Sequence, residues 1–162
     1  MPYKPILATL GYVMSPNGQK VLLIHRNGRA NDYHLGKFNG LGGKVDEGED
    51  IVACLRREIR EEAGLECHSM KLCGTVSWPK FGPHGEDWFG FIFRIDDWHG
   101  TPPDNNPEGT LSWVDVEHIL DLPLWEGDRH FLPLVFGCNG RQFHGVMPYD
   151  QGRPQGWSCS LI

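Results

Sequence analysis

The sequence predicts an α/β or α+β sandwich folded as one domain over residues 1–162, and three observations carry that expectation. Apolar runs of strand length flank two helix-like stretches, and such elements bury their apolar faces by packing in layers. The chain has 162 residues, 40% of them hydrophobic and 22% charged, which suits one core and is short for two. Neither an internal repeat nor a low-complexity tract or linker interrupts it.

Ile6 to Met14 is largely apolar and Val21 to Ile24 continuously so. Ser15-Pro16-Asn17-Gly18 between them has turn chemistry, giving a strand, a turn and a strand. Asn39 to Gly43 is glycine-rich and reads as a loop. From about Asp50 the period changes: Ile51, Leu55 and Ile59 recur at four-residue spacing and Gly64 supplies a stop, so a helix is expected over 50–63. Lys71 to Trp78, Trp88 to Ile95 and Leu111 to Val114 read as strands, separated by Gly/Pro-rich loops at 79–87 and 99–110. Val116 to Leu120 reads as a short helix, about Asp128 to Phe136 as a second helical segment, and Gln142 to Met147 as a strand. The polar, Gly-rich tail gives no assignable pattern.

The net charge of −6 argues against a long nucleic-acid track, which needs clustered Lys and Arg to displace counterions. Five cysteines (Cys54, Cys67, Cys73, Cys138, Cys159) show no C-x-x-C pair and no zinc-site spacing, and are read as reduced thiols. The N-terminus lacks signal-peptide character, and no apolar run approaches the roughly 18 residues that would span a bilayer. A soluble, cytoplasmic protein is the expectation.

The 50–63 helix carries Arg57, Glu58, Glu61 and Glu62. Offsets of three and four residues place the three carboxylates on one face, where they repel one another. A hard divalent cation removes that repulsion, and carboxylate oxygens are the ligands magnesium prefers. The opposite stripe of Ile51, Leu55 and Ile59 would fix the helix against a sheet. Upstream, Gly40-Leu41-Gly42-Gly43 lets backbone approach the same place, with a carbonyl to offer.

Taken together, Gly43, Glu49, Arg57-Glu58, Ile59, Glu61-Glu62, Gly64 and Leu65 resemble the full signature of the Nudix hydrolase family, over the 23 residues from Gly43 to Leu65. The resemblance implies an α/β/α sandwich with a mixed sheet, a loop-helix-loop catalytic element and hydrolysis of a diphosphate linked to another moiety. It implies Mg2+, or Mn2+, held by Glu58, Glu61, Glu62 and the Gly43 carbonyl. Arg57 would orient the glutamates and Glu49 would brace the loop. Glu61 is favoured as the base that activates water. Glu108, a loop glutamate outside the signature, is the alternative for that role and a further candidate metal ligand, and otherwise a surface acid.

Gly36-Lys37-Phe38-Asn39-Gly40-Leu41-Gly42-Gly43-Lys44-Val45 is similar to the segment of MutT-type oxidised-purine nucleotide hydrolases, which implies that Asn39 reads the base; a turn asparagine is the other reading. Leu124-Trp125-Glu126-Gly127-Asp128 resembles the Trp-x-x-Asp segment of that group, implying that Trp125 stacks on the base and Asp128 hydrogen-bonds it. Trp125 also fits a core aromatic. Gly127 stands where the human-type enzyme has a first aspartate, and the segment looks more like a bacterial 8-oxo-dGTP diphosphatase branch. Arg26 and Lys44 are the candidate phosphate contacts. No two of the eight histidines share an element at metal-ligand spacing, and His25, His34 and His130 are read as ordinary polar residues.

The expected function is thus hydrolysis of a purine nucleoside triphosphate, 8-oxo-dGTP in its sharpest form, to a monophosphate and pyrophosphate, in the service of nucleotide-pool sanitation and DNA repair. Alternatives are removal of pyrophosphate from an RNA 5′ end, cleavage of ADP-ribose or a dinucleotide, and a silent nucleotide-sensing scaffold. The last would be expected to lack one of the carboxylates that this chain retains.

Overall fold

The computed structural model describes residues 1–137 and 140–162; Cys138 lies outside them. β1 (Ile6–Met14) turns through Ser15–Gly18 into β2 (Lys20–His25), with Val13 opposite Leu22 and Met14 opposite Val21. This is the strand, turn and strand that the sequence predicts. Because side chains alternate across a strand, Val13, Leu22 and Ile24 enter one core while Tyr12, Met14, Val21 and Leu23 enter another on the opposite face.

The glycine-rich stretch departs from expectation. It forms two short strands, β3 (Phe38–Asn39) beside β2 and β4 (Leu41–Lys44) antiparallel to β1. A side chain at Gly42, whose φ is 152°, would collide with the Thr9 carbonyl. The glycines that suggested a loop are therefore what allows β4 to pair.

α1 (Ile51–Ala63) starts on Asp50, whose carboxylate accepts from the amides of Val52 at 2.8 Å and Ala53 at 2.9 Å. It ends at Gly64, left-handed at φ 65°, whose N–H donates to the Arg60 carbonyl. Cys54, Leu55, Ile59 and Ala63 are buried, with Ile51 packed at their margin, so the expected apolar stripe does dock the helix on the sheet.

β5 (Glu66–Trp78) and β6 (Trp88–His99) form a long hairpin, each strand longer than its apolar pattern suggests. Polar residues at the far end, such as Ser69 and Asp97, pair through backbone and leave no apolar trace in sequence. β7 (Asn105–Asn106) and β8 (Gly109–Asp115) follow, then the expected short helix, of 3₁₀ type, over Val116–Asp121. α2 (Glu126–Phe136) begins two residues before the expected Asp128. β9 is Phe143–Val146, and the unassigned tail supplies β10 (Tyr149–Asp150), β11 (Arg153–Pro154) and β12 (Ser158–Leu161).

Ten strands among the described residues make one mixed sheet in the order β12-β9-β5-β6-β1-β2-β8-β7, with β3 on β2 and β4 on β1. β1 runs parallel to β6 and β5 parallel to β9. α1 packs on one face and α2, through Phe131, Leu132 and Val135, on the other, which is the expected α/β/α layering. Cys54, Cys67 and Cys159 are free thiols. Among the described residues, no helix is long and apolar enough to cross a membrane.

Candidate active site

A cleft of about 270 Å³ opens beside β1, β3 and β4, bordered by the first turn of α2. Its lining brings together Arg26, Asn39, Gly43, Lys44, Glu62, Glu108, Trp125 and Asp128. Eight of the residues singled out in sequence thus share one cavity. Glu58 and Glu61, and Arg57 with them, stand outside this lining.

At one end Glu62 is turned inward, where the Gly42 N–H, at 3.3 Å, donates to its carboxylate and the Glu58 carboxyl lies within hydrogen-bonding reach. Burial first, then the charges of Glu108 and Glu58, push its carboxyl well above the usual range. Glu58 lies against Gly43 so closely that any side chain there would overlap its carboxylate. Arg57 organises this end. Its Nε and Nη2 grip Glu49 at 3.0 and 2.7 Å, Nη2 reaches the Lys44 carbonyl at 3.3 Å, and Nη1 donates to Glu58 at 2.8 Å and Glu61 at 3.4 Å. That guanidinium holds the Glu49 carboxyl down at about 2.

Arg57 holds Glu58 and Glu61, and Glu58 also faces the Glu62 carboxyl. Among the described residues no three His, Cys, Asp or Glu side chains are already gathered into a metal cage, so the expected ligand set is adjacent rather than preassembled. Its chemistry nonetheless fits a hard divalent cation: a buried carboxylate, a second carboxylate beside it, the Glu108 carboxylate facing it, and the Gly43 carbonyl, which also takes contacts from the Thr9 hydroxyl at 3.5 Å and the Cys54 thiol at 3.8 Å. Asn106, not singled out in sequence, donates from its side chain to the Glu62 carbonyl at 3.0 Å and accepts from the Glu108 amide at 2.9 Å. It ties the loop bearing Glu108 to the end of α1.

Arg26 proves to be engaged. Its Nε and Nη2 pair with Asp32 at 2.7 and 3.0 Å and its Nη1 lies 3.7 Å from Glu108, so the guanidinium that lines the cleft is already held by two carboxylates. Lys44 is exposed, with its Nζ 5.5 Å from the centre of the Trp88 ring.

The other end is aromatic. Trp125 packs against Tyr33 and Phe81 at centroid distances of 5.3 and 4.8 Å, and its indole N–H donates to Nδ1 of His34 at 2.7 Å. Asp128 is 7% exposed, and burial pushes its carboxyl up to about 7. At neutral pH a substantial share of it therefore carries a proton to donate. Trp78, Phe81, Trp88 and Tyr149 also line the cleft and were not singled out in sequence, and His34, read from the sequence as an ordinary polar residue, lines it with them. Tyr149 sits in the unassigned tail, and His34 reaches its partner across 91 residues, which no local pattern encodes.

The NUDIX domain model matches residues 4–135. This chain belongs to the Nudix family. The oxidized purine nucleoside triphosphate hydrolase of Mus musculus is 35% identical to it over 129 residues, covering 80% of this chain and 78% of that one. An uncharacterized Nudix hydrolase of Bacillus subtilis is 33% identical over 132 residues, covering 80% and 79%. Among solved structures, the MutT protein of Bacillus halodurans superposes with a TM-score of 0.82 at 25% identity, covering 96% of this chain and 97% of that one. The Nudix chain described here is accordingly a MutT-like α/β hydrolase.

Proposed function

We propose that this Nudix hydrolase is a divalent-metal-dependent pyrophosphohydrolase of purine nucleoside triphosphates, with 8-oxo-dGTP or a related oxidised purine nucleotide as substrate. The observation that carries the reading is the joining of two unlike ends in one cleft. Carboxylates and glycine backbone stand at one end, and a tryptophan with hydrogen-bonding side chains at the other.

In this reading Glu58, Glu61, Glu62 and the Gly43 carbonyl hold Mg2+ or Mn2+, with Glu108 facing them. A cation bound there neutralises phosphate oxygens and lowers the pKa of its water. Arg57 positions Glu58 and Glu61 through its bonds to both, braced by Glu49. Glu61, the most solvent-facing of the three, accepts the proton of the attacking water; Glu108 is the alternative acceptor. Lys44 meets the polyphosphate from the open side. Arg26, held by Asp32, fixes Glu108 rather than the substrate.

Trp125 stacks on the purine, while Asn39 and Asp128 hydrogen-bond its edge. Asn39 offers a donor and an acceptor, and Asp128 in its protonated form a donor. The mouse relative's printed activity on oxidised purine triphosphates supports this choice of substrate.

The test is pyrophosphate release with magnesium from 8-oxo-dGTP, dGTP, GTP, pyrimidine triphosphates, ADP-ribose and 5′-triphosphorylated RNA, compared by kcat/KM. Preference for 8-oxo-dGTP is expected. Equal or better turnover of dGTP, GTP or the RNA would keep the hydrolase and discard that substrate, and binding without metal-dependent turnover would point to a nucleotide sensor.

A further inference from the structure

The segment from Arg26 to Lys37 is folded around one carboxylate. Asp32 accepts from Nε and Nη2 of Arg26 and from the backbone N–H of His34 at 3.0 Å. The Gly36 amide donates to the Arg26 carbonyl and the Lys37 amide to the His34 carbonyl, closing the loop on itself. At its tip the Tyr33 hydroxyl donates to the Phe81 carbonyl at 2.9 Å, so the loop is also fastened to the opposite wall of the cleft. Each of these bonds fixes the backbone that carries His34.

The His34 ring meets the edge of Trp125, with centroids 5.5 Å apart and planes at 86°, and takes the indole N–H on Nδ1 at 2.7 Å. Trp125 occupies the N-cap position of α2, where its side chain makes no capping bond. Among the bonds of the described residues, the one to His34 is its single directional restraint; its other contacts are ring packing and Lys37, whose Nζ lies 5.2 Å from the ring centre. Packing tolerates rotation of a planar ring, whereas a hydrogen bond sets its angle.

We propose that His34 is a positioning residue for base recognition: its Nδ1 fixes the Trp125 indole at the angle the purine meets. The inference rests on the reading of Trp125 as the base-stacking residue. Only an unprotonated Nδ1 can accept this bond. Burial, reinforced by Arg26 and opposed by Asp32, lowers the imidazole to about 4, so the acceptor persists across the neutral range. His34 thereby connects the cleft's two ends, since Arg26, which braces its loop through Asp32, also faces Glu108.

Two replacements separate the acceptor from the ring. Phenylalanine keeps a flat ring with no acceptor, and asparagine places a carbonyl oxygen where Nδ1 stands. His34→Phe is expected to raise KM for dGTP about fivefold, the scale of one neutral hydrogen bond, with kcat within about twofold. His34→Asn is expected to restore KM to within about twofold of the parent. The Trp125 Nε1–H resonance, assigned by its loss in Trp125→Ala, should move in His34→Phe and exchange slowly in the parent protein.

If Trp125→Ala raises KM and His34→Phe does not, this inference fails and base stacking stands. If Trp125→Ala leaves KM unchanged, the stacking reading fails and takes this one with it. A His34→Asn variant as impaired as His34→Phe would show that ring shape and not the acceptor matters, which also overturns the proposal. Should His34→Phe not fold, rapid exchange of the indole proton in the parent protein would still refute it.

Discussion

The two ends of the cleft are built in opposite ways. The carboxylate end comes mainly from one short stretch, Leu41 to Glu62, in which a capped helix presents its acidic face to a glycine-lined strand. The aromatic end draws on β3, the 26–37 loop, the 79–87 loop, α2 and the tail. A local motif can hold a metal-binding geometry because helix spacing presets it. A base pocket needs walls on several sides, and here long-range contacts supply them. Alterations at the first end should therefore act on turnover, and at the second on affinity.

The largest expected effect breaks the first end. Glu61→Gln should lower kcat by at least about a hundredfold while the circular dichroism spectrum is unchanged, as for loss of a ligating or proton-accepting carboxylate. Normal turnover would remove Glu61 from its role. At the second end, Trp125→Ala should raise KM for purine triphosphates about tenfold, the scale of one base–aromatic stack, and disturb kcat much less. A fall in kcat with KM unchanged would erase the distinction between the ends.

A smaller effect tests the support beneath the carboxylates. Asp50→Ala removes the acceptor for two amides and should cost about 1 kcal/mol in urea unfolding. A further effect is in pH. The unfolded chain binds a proton on histidine from about 6.5 downward that folded His34 refuses until about 4, so its stabilising contribution is complete above 6.5 and lost as pH falls through 4. The stability of the parent relative to His34→Asn should therefore decline on acidification across that window. Asp128 acts in the reverse direction, its contribution fading as pH rises through about 7, and is common to both proteins.

The same contrast explains what was legible in the sequence. α1, its Asp50 start and its Gly64 stop could be read because capping and periodicity are local, and Glu58, Glu61 and Glu62 were legible for the same reason. β4 could not be read: glycine signals a loop unless a partner strand is known, and the partner, β1, lies more than thirty residues upstream. The pairing of Arg26 with Asp32, six residues on in a loop, could not be read from spacing alone. Asn39, Trp125 and Asp128 were reached through their likeness to a known segment. His34, Phe81 and Tyr149, which complete the same pocket, have no local signature.

The central claim is that both ends act on one molecule. It is tested most directly by comparing kcat/KM for dGTP, a pyrimidine triphosphate and inorganic tripolyphosphate, each with magnesium, in the parent protein and in Trp125→Ala. The account predicts that dGTP leads the other two by at least about tenfold in the parent, the worth of one stacked base, and that Trp125→Ala removes most of the lead. Equal constants for dGTP and tripolyphosphate in the parent protein would contradict it.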